Sequence, residues 1–368
     1  MFNVFRAPLF GLDISDYSIE MVSLKGTTES PKLLAMGRVK IEQGIVEDGK
    51  ILDREKLKQY LKDLIENPEF GRIKTRKIIF LIPESKSYIH IFELPKVQKK
   101  EEILELVKSQ IETNFPFTTD ELYFDFQVRP PARNGGREIL LVAVPKNIVN
   151  DYLEIFKECN LKPSALEIES LSLARALISE LTEKKSVLIA DIGARTANLS
   201  IFDKEGLRLS FSIPVAGNRF TQAIAEKLNI SRAEAESLKK RAGLNPKIQE
   251  GKVFLILQKE IQGIIEEISK IKKYFQQRTS QKIEKIILAG GSATLPSFPQ
   301  YLTENLDIPV EISDPWVKIN IDILKKKEFF KRALRINPVL YSAAIGAALR
   351  GLSKESEKVG INLLKGRI

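Results

Sequence analysis

The sequence predicts an α/β protein made of two halves, with a smaller α/β subdomain inserted into the first half. Both halves open with the same pattern, in which an apolar strand leads into an aspartate, a short turn and a second apolar strand, at residues 9–26 and 188–206. Between these stretches, residues 88–163 alternate between strand-like and helix-like periodicity. Their order of strand, helix, strand, strand and helix is typical of a small α/β layer inserted into a larger domain.

Periodicity and turn residues assign the elements of the first half and of the insertion. In the first half we predict strands at 10–24 and 33–41, a helix at 51–66 and a buried strand at 76–85. In the insertion we predict a strand at 88–95, a helix at 99–115, two strands at 121–130 and 137–145 joined by a Pro/Asn/Gly turn at 130–136, and a helix at 147–160.

The second half is richer in helical patterns. After a helix at 164–181 we predict antiparallel strands at 187–202 and 207–216, helices at 219–228, 231–243 and 252–278, a strand entering a double-glycine turn and a helix at 282–298, and a small-residue helix at 337–352. The predicted organisation is a first core subdomain (1–87 and 164–184), the inserted subdomain (88–163), a second core subdomain (185–217 and 283–352), a helical subdomain (218–282) and a tail (353–368).

Composition limits the function classes. The chain has 368 residues and contains neither a run of about 18 apolar residues, as a membrane span requires, nor the apolar region of a signal peptide. We therefore expect a cytoplasmic protein. Cys159 is the only cysteine, which excludes an internal disulfide and a cysteine metal cluster. His90 is the only histidine, so we expect no zinc site, Ser–His–Asp triad or histidine general base.

The formal net charge of +10 allows an acidic partner such as a nucleotide, a nucleic acid or an anionic membrane. The basic residues are spread along the chain, and the densest cluster, residues 325–335, is short and typical of a solvated helix face. A phosphate or lipid contact is the alternative for that cluster. We expect no nucleic-acid partner.

The two aspartate turns carry the strongest chemical signal. Asp13 and Asp191 each end an apolar strand and are followed by small or hydroxyl residues, namely Ser15, Ser18, Gly193, Ala194 and Thr196. Such turns expose backbone N–H groups, so two of them could grip a polyphosphate while the aspartates hold Mg²⁺ through water. A single turn of this kind has an ordinary structural explanation, because aspartate is common in turns.

Two further patterns fit the same ligand. Gly290 and Gly291 allow the backbone to approach a flat group closely. Glu236, Lys239 and Lys240 share one helical face and could frame a ribose and adenine. A plain strand-to-helix turn and a solvated charged face are the respective alternatives.

Taken in this order, the four elements resemble the actin-like ATPase superfamily, with two phosphate loops, a helix that frames adenosine and the adenosine glycines. Within it, the DIGA loop at 191–194, the DPW at 314–316 and the PVLYSAAIGAAL ending look like the PilM family of type IV pilus assembly proteins. The resemblance implies an actin-like two-half fold (duplicated ribonuclease-H-like domains) that binds ATP. It also implies a PilN-like inner-membrane partner, whose N-terminal cytoplasmic peptide binds PilM and brings it to the inner-membrane pilus complex, and leaves self-association open.

Carried over by position, the resemblance implies a role for each motif residue. The cofactor-binding residues would be Asp13, Ser15, Ser18, Asp191, Gly193, Thr196, Gly217, Glu236, Lys239, Lys240, Gly290, Gly291 and Ser292, with Asp13 and Asp191 holding Mg²⁺ through water. Glu169 falls where filament-forming relatives orient the attacking water, although a helix-start cap is as good an interpretation.

This sequence also departs from the family pattern. The first loop, DISDYS, lacks the usual glycine after DI and any lysine for the phosphates, and Glu20 stands where PilM proteins often have lysine. Ala194 stands where actin has a metal-coordinating aspartate. These departures favour slow hydrolysis, or nucleotide as a structural ligand, because phosphoryl transfer depends on charge neutralisation.

The tail holds one more motif. Residues 361–364, INLL, resemble the INLLP-type motif that PilN presents to PilM, so the tail could mimic the partner and dock in its own or a neighbour's groove. A frayed terminus is the alternative. Alternative functions for the whole chain are an FtsA-like cell-division or filament protein and a small-molecule kinase of the same fold.

Overall fold

A computed structural model describes residues 9–94, 99–129, 137–179, 185–326, 328, 330–333 and 335–365. Contacts between residues divide the chain into two units. The first unit comprises Met1–Ala176 and Pro315–Ile368, and the second unit comprises Leu177–Asp314. The predicted turn at 130–136 lies outside the described residues.

The elements of the first unit up to the second aspartate turn are mostly strands. They are β1 (Phe10–Ile14), β2 (Ser18–Gly26), β3 (Pro31–Lys40), β4 (Val46–Glu47), β5 (Lys50–Ile51), α1 (Arg54–Glu66), β6 (Lys77–Ile82), β7 (Tyr88–Leu94), α2 (Lys100–Asn114), β8 (Leu122–Val128), β9 (Arg137–Pro145), α3 (Lys146–Glu158), β10 (Lys162–Ile168) and α4 (Glu169–Leu177, whose last residue falls in the second unit).

The second unit and the return to the first unit supply the remaining elements. They are β11 (Ser186–Ile192), β12 (Ala197–Asp203), β13 (Gly206–Ile213), α5 (Gly217–Leu228), α6 (Arg232–Ala242), α7 (Lys252–Thr279), β14 (Ile283–Ala289), α8 (Phe298–Leu306) and β15 (Val310–Ile312), followed in the first unit by α9 (Phe330–Ala333) and α10 (Ser342–Gly351). No helix among the described residues is both long enough and apolar enough to traverse a bilayer.

A five-stranded mixed sheet forms the core of the first unit, in the order β10-β6-β1-β2-β3. β10, β6 and β1 run parallel, while β1, β2 and β3 are antiparallel neighbours. β1 and β6 are buried almost throughout, as expected for strands covered on both faces. β10 is an edge strand of this sheet, and β3 is the other.

Two elements of the first unit differ from the sequence prediction. The predicted helix at 164–181 is wrong in its first part, because residues 162–168 form β10, which pairs with β6, and the helix begins only at Glu169. The helix predicted from residue 51 begins at Arg54 instead. Ile51 pairs with Val46 in a hairpin, and the Asp53 side chain caps the helix by accepting from Lys56 N at 3.0 Å.

The insertion is a three-stranded antiparallel sheet in the order β7-β9-β8, with its own apolar core. That core joins the sheet to α2 through buried residues such as Val107, Ile111 and Leu141. The strands and helices predicted for this segment therefore agree with the structure. β8 is an edge strand of the small sheet.

The second unit contains a five-stranded sheet in the order β13-β12-β11-β14-β15. β11 and β12 form the antiparallel pair that the second aspartate turn predicts, and β14 runs parallel to β11. The long helix α7 buries a stripe that includes Ile261, Ile264 and Ile268, consistent with its helical periodicity.

The small-residue helix α10 packs on the sheet of the first unit. A Cβ on Gly11 of β1 would lie 2.1 Å from Ala344 O, and one on Gly346 would lie 1.9 Å from Ser172 O, so helix, strand and α4 approach at backbone distance. From the sequence, residues 283–352 are predicted to lie in one core subdomain. The contacts instead place residues from Pro315 onward in the first unit, and the other predicted subdomain bounds stay a prediction.

Candidate functional site

The first aspartate turn closes through its own serines. Ser15 N donates to Ser18 O at 2.9 Å, and Ser15 Oγ accepts from Ser18 N at 3.1 Å. Asp13, at the end of β1, is half-buried beside this turn. Both hydroxyl residues that we predicted at the phosphate loop therefore shape the turn itself.

Asp16, which the sequence analysis passed over, ties this turn to the β4–β5 hairpin. Its carboxylate accepts from Asp48 N at 3.0 Å and from Gly49 N at 3.3 Å. The carbonyl of Gly49 in turn accepts from Tyr152 Oη at 3.1 Å. These hydrogen bonds join the first turn to the β4–β5 hairpin and the hairpin to α3. The surrounding elements therefore restrict the backbone of the first turn.

The buried Tyr152 lies within electrostatic reach of several carboxylates. Burial raises the pKa of Tyr152, and the negative charges of Asp16, Glu169 and Asp13 raise it further. This places the predicted residues Asp13 and Glu169 near a common point in the first unit. Tyr152 remains a neutral hydrogen-bond donor at any physiological pH, since its ordinary pKa is about 10.

Glu169 begins α4, and it and the next residue, Ser170, are hydrogen-bonded to Glu84. Glu84 N donates to the Glu169 carboxylate at 3.2 Å, and Ser170 N donates to the Glu84 carboxylate at 3.2 Å. This geometry gives Glu169 a structural role at the start of the helix. The water-orienting role implied by the family resemblance stays a prediction.

Glu20 forms an ion pair with Arg38, a residue of the same sheet. Its side chain is buried, and Arg38 Nε on β3 donates to it at 2.5 Å. Burial raises the pKa of Glu20, and the charge of Arg38 opposes that effect. The buried Glu20 carboxylate is therefore balanced by a cation on the neighbouring strand β3.

In the second unit, the second aspartate turn is fastened at the carbonyl of Gly193. This oxygen accepts from Gly217 N at 3.1 Å and from Ser292 Oγ at 3.2 Å, while Gly193 N donates to Thr196 O at 3.0 Å. A Cβ on Gly217 would lie 2.9 Å from Ser292 Oγ. The structure thus brings together four predicted residues from the turn, the start of α5 and the loop after β14.

The glycines after β14 differ from each other. Gly290 has φ +78°, and a Cβ there would lie 2.4 Å from Asp191 Oδ1, so only glycine fits against the aspartate. Gly291 is exposed. The close approach at Gly290 is to Asp191, and the approach of these glycines to a flat ligand group stays a prediction.

A buried lysine joins α6 to the start of α5. Lys239 is 5% exposed, and its Nζ donates to Gly217 O at 2.9 Å and to Thr221 Oγ1 at 2.8 Å. It also pairs with Glu236 at 2.7 Å. Burial lowers the pKa of Lys239, and the bond to Glu236 opposes that shift. Thr221 was not among the predicted site residues, because its only signal in the sequence is its position one turn after Gly217.

Glu236 is held in its ionised form. Although partial burial raises its pKa, hydrogen bonds from Lys239, Lys240 and Thr221 lower the pKa to about 2. Lys240 pairs with the other carboxylate oxygen at 2.8 Å and is 63% exposed. The predicted trio on α6 therefore consists of one buried cation, one fixed anion and one accessible cation.

Among the ranges that the structure describes, no group of three or more His, Cys, Asp or Glu side chains could hold a metal ion. Asp13 belongs to the first unit and Asp191 to the second. A site that relies on one or two carboxylates, with water and phosphate as further ligands, is the arrangement that Mg²⁺ commonly takes.

Comparison with known families decides the affiliation of this chain. The sequence profile described as "Type IV pilus assembly protein PilM" matches residues 11–352. The chain belongs to the PilM family. The recognition made from the DIGA loop and the C-terminal helix is therefore confirmed, and type IV pilus assembly is the setting of the family.

Solved structures agree with the predicted fold. A PilM-PilN type IV pilus biogenesis complex has TM-score 0.79 and 23% identity over 94% of this chain and 98% of that chain. MreB5 of Spiroplasma citri bound to ADP has TM-score 0.50 and 15% identity over 89% and 97%. The α/β actin-like fold predicted for this PilM-family chain is confirmed.

Among curated proteins, the cell division protein FtsA of Pseudomonas aeruginosa is 24% identical over 263 residues, which is 64% of this chain and 60% of FtsA. This chain thus spans less than two thirds of the length of the FtsA relatives that it matches. The match agrees with an FtsA-like branch of the actin-like superfamily.

Proposed function

We propose that this PilM-family chain is an ATP-binding scaffold of type IV pilus assembly. Its partner would be a PilN-like inner-membrane protein, bound through that protein's N-terminal cytoplasmic peptide, and this contact would hold the chain at the inner membrane. The family membership, the resemblance to a PilM-PilN complex and the resemblance to an ADP-bound MreB5 support the proposal.

The main support for nucleotide binding is the hydrogen-bond network around Lys239. Its bonds to Gly217 O and Thr221 Oγ1 fix α6 against α5, while its third partner, Glu236, lies on α6 itself. Gly217 links the start of α5 to the second aspartate loop. α5 is 12 residues long, and its helix dipole favours an anion near its N-terminus. We expect the phosphates at this end of α5.

The remaining predicted residues would complete the site. Lys240 is exposed enough to reach a ribose or a base, while Glu236 is held in place as an acceptor for ribose hydroxyls. Asp191 would hold Mg²⁺ through water, and Asp13 would do so from the first loop. When bound, Mg²⁺ would neutralise phosphate charge.

Nucleotide binding is tested with the full chain and a fluorescent ATP analogue in the presence of Mg²⁺. Gly217→Val should weaken binding at least tenfold, because the new side chain meets Ser292 and displaces the start of α5. Gly263→Ala is the matched control, since a Cβ there meets nothing within 4 Å. Equal affinities of the two variants, or no binding by the unmodified chain, would contradict the proposal.

The turnover state is read from the nucleotide that co-purifies. After denaturation, chromatography should recover ATP if the nucleotide is a structural ligand, and ADP if the chain hydrolyses it. We expect slow hydrolysis, because the first loop offers no lysine and Ala194 replaces an aspartate of actin. Phosphate release at rates typical of kinases would overturn that expectation.

The partner is tested by titrating the chain with the N-terminal cytoplasmic peptide of PilN from the same organism. Saturable binding is expected, and a scrambled peptide of equal composition is the control. An FtsA-like filament function would instead give ATP-dependent sedimentation without peptide binding. The same sedimentation run tests self-association.

A further inference from the structure

The C-terminal segment 361–365 lies across two open sheet edges of the first unit. β10 is an edge of the core sheet and β8 an edge of the inserted sheet. Leu363 N donates to Leu166 O on β10 at 2.9 Å, and Asn362 N donates to Asp125 Oδ2 on β8 at 2.7 Å. The seam between the two edges therefore receives a short segment that turns after Asn362, where Lys365 N donates back to Asn362 O at 3.0 Å.

The side chain of Asn362 forms the hydrogen bond to β10 that the backbone of a neighbouring strand would otherwise form. Its Oδ1 accepts from Leu166 N at 3.1 Å, and its Nδ2 donates to Glu357 O at 2.9 Å. An asparagine with these partners satisfies an edge-strand N–H that would otherwise be buried without one. The side chain thus fixes the position of the segment along β10.

Two apolar side chains flank the asparagine. Ile361 and Leu363 are each 0% exposed, and Asn362 is 3% exposed, whereas Val359 just before them is 48% exposed. The chain therefore passes from an exposed linker into a fully buried segment within two residues. Gly360, with φ +66°, makes this change of direction.

Charged groups of the first unit complete the contact. Asp125 accepts from Lys365 Nζ at 3.0 Å. Arg350 Nη1 donates to Ile361 O at 2.6 Å and is itself held by the buried carboxylate of Glu167. The groove thus presents a carboxylate and a guanidinium set by the core, and the segment supplies a carbonyl and a lysine to match.

We propose that the seam between β8 and β10 is a peptide-docking groove and that residues 361–365 are its built-in occupant, an autoinhibitory strap. A partner peptide must displace the strap, and it must share its chemistry: an apolar residue, asparagine and a second apolar residue, followed by a basic residue. Only the identity of that partner rests on the proposed function.

Competition follows from the tether. A short tether gives a strap an effective concentration of roughly millimolar, so a free peptide binds only to the fraction of molecules whose groove is open. Removing the strap should therefore raise the apparent affinity for a peptide without changing the groove. The lysine-to-aspartate pair should weaken with salt because Lys365 is 37% exposed.

The decisive probe is a fluorescent peptide with the sequence of residues 359–368, VGINLLKGRI. A chain that ends at Gly360 keeps the Arg350 bond to Ser356 O and should bind this peptide at least tenfold more tightly than the full chain does. A peptide carrying alanine in place of Asn362 is the matched control and should not bind.

A second variant guards against misfolding of the shortened chain. Asn362→Ala in the full chain should open the strap and raise affinity for the unmodified peptide, whereas Lys358→Ala, on the exposed linker, should leave it unchanged. Equal affinity of the full and shortened chains would overturn the proposal. So would a full-chain dimer that becomes a monomer on shortening, because the strap would then dock in a second copy.

The same binding measurements distinguish failure of the proposed partner from failure of the autoinhibitory strap. If the shortened chain binds its own tail peptide but no form binds the PilN peptide, the strap stands and the proposed partner fails. If full and shortened chains bind the PilN peptide equally well, the partner stands and the autoinhibitory strap fails.

Discussion

Arg350 Nη1 of α10 donates to Glu167 Oε2 of β10 at 2.6 Å in an ion pair, and both side chains are almost wholly buried. Arg175 of α4 pairs with the same carboxylate at 2.7 Å. One buried carboxylate therefore connects a helix near the C-terminus, an edge strand and the helix that follows that strand. Since an unpaired buried charge is far less stable than a paired one, the three groups must be present together.

Arg350→Met should lower the free energy of unfolding by about 3–5 kcal/mol, because it leaves Glu167 with one partner and removes the bond to Ile361 O. Urea unfolding followed by circular dichroism measures this. Arg54→Met is the control, since Arg54 forms surface pairs with Glu154 and Glu158 and should cost less than about 1 kcal/mol. Equal costs for the two variants would refute the buried network.

Acid should act on the same network. Burial alone would raise the pKa of Glu167, but Arg175 and Arg350 outweigh it and hold the pKa below its usual value. Its contribution to stability is therefore fully present above the unfolded pKa of about 4.3 and is lost as the pH falls through the lower folded pKa. Glu167→Gln should flatten the loss of stability below about pH 4. Parallel pH profiles of the two proteins in urea titrations would speak against this.

Lys239→Met should destabilise the second unit by about 1–3 kcal/mol and weaken nucleotide binding, because Gly217 O, Thr221 and Glu236 lose a donor. Lys240→Met is the matched control on the same helix. Its amine is largely exposed, so we expect less than about 1 kcal/mol from that change. Thermal unfolding and the fluorescent ATP titration measure the two effects, and similar values for both lysines would contradict the assignment.

Gly346→Ala should be strongly destabilising, by more than about 2 kcal/mol, because the methyl group would lie 1.9 Å from Ser172 O and force α10 away from α4. Gly263→Ala, in the middle of α7, should instead stabilise by about 0.5–1 kcal/mol, since the site is open and alanine favours helix. Both changes in the free energy of unfolding are measured by urea unfolding of the two variants and of the unmodified chain. A tolerated alanine at Gly346 would mean that the close contact is not required.

Local periodicity predicted most strands and helices, but it failed where a distant partner decides the structure. Residues 162–168 contain a short buried run, Ala165, Leu166 and Ile168, that periodicity alone cannot assign to helix or strand. Pairing with β6 settles it, and β6 lies far back in the sequence. The placement of α10 failed for a similar reason, because chain order carries no information about which sheet a returning helix covers.

The candidate site was predictable where backbone geometry restricts the residue type. Gly217 and Gly290 stand where a Cβ would clash, and such positions leave a glycine in the sequence. Asp16 and Thr221 were missed because their roles depend on the β4–β5 hairpin and on α6, which no local pattern places beside them. Likewise, Glu20 raised a question that only Arg38 on the neighbouring strand answers.

The return of α10 to the first unit has a consequence for biosynthesis. The second unit is one continuous segment, so it can fold as it leaves the ribosome. The strand that contains Gly11 is translated first. The helix that packs on it through Ala344, α10, is translated only after the whole second unit. Until then the nascent chain carries an apolar sheet face without its helix, and that face is where a chaperone would be needed.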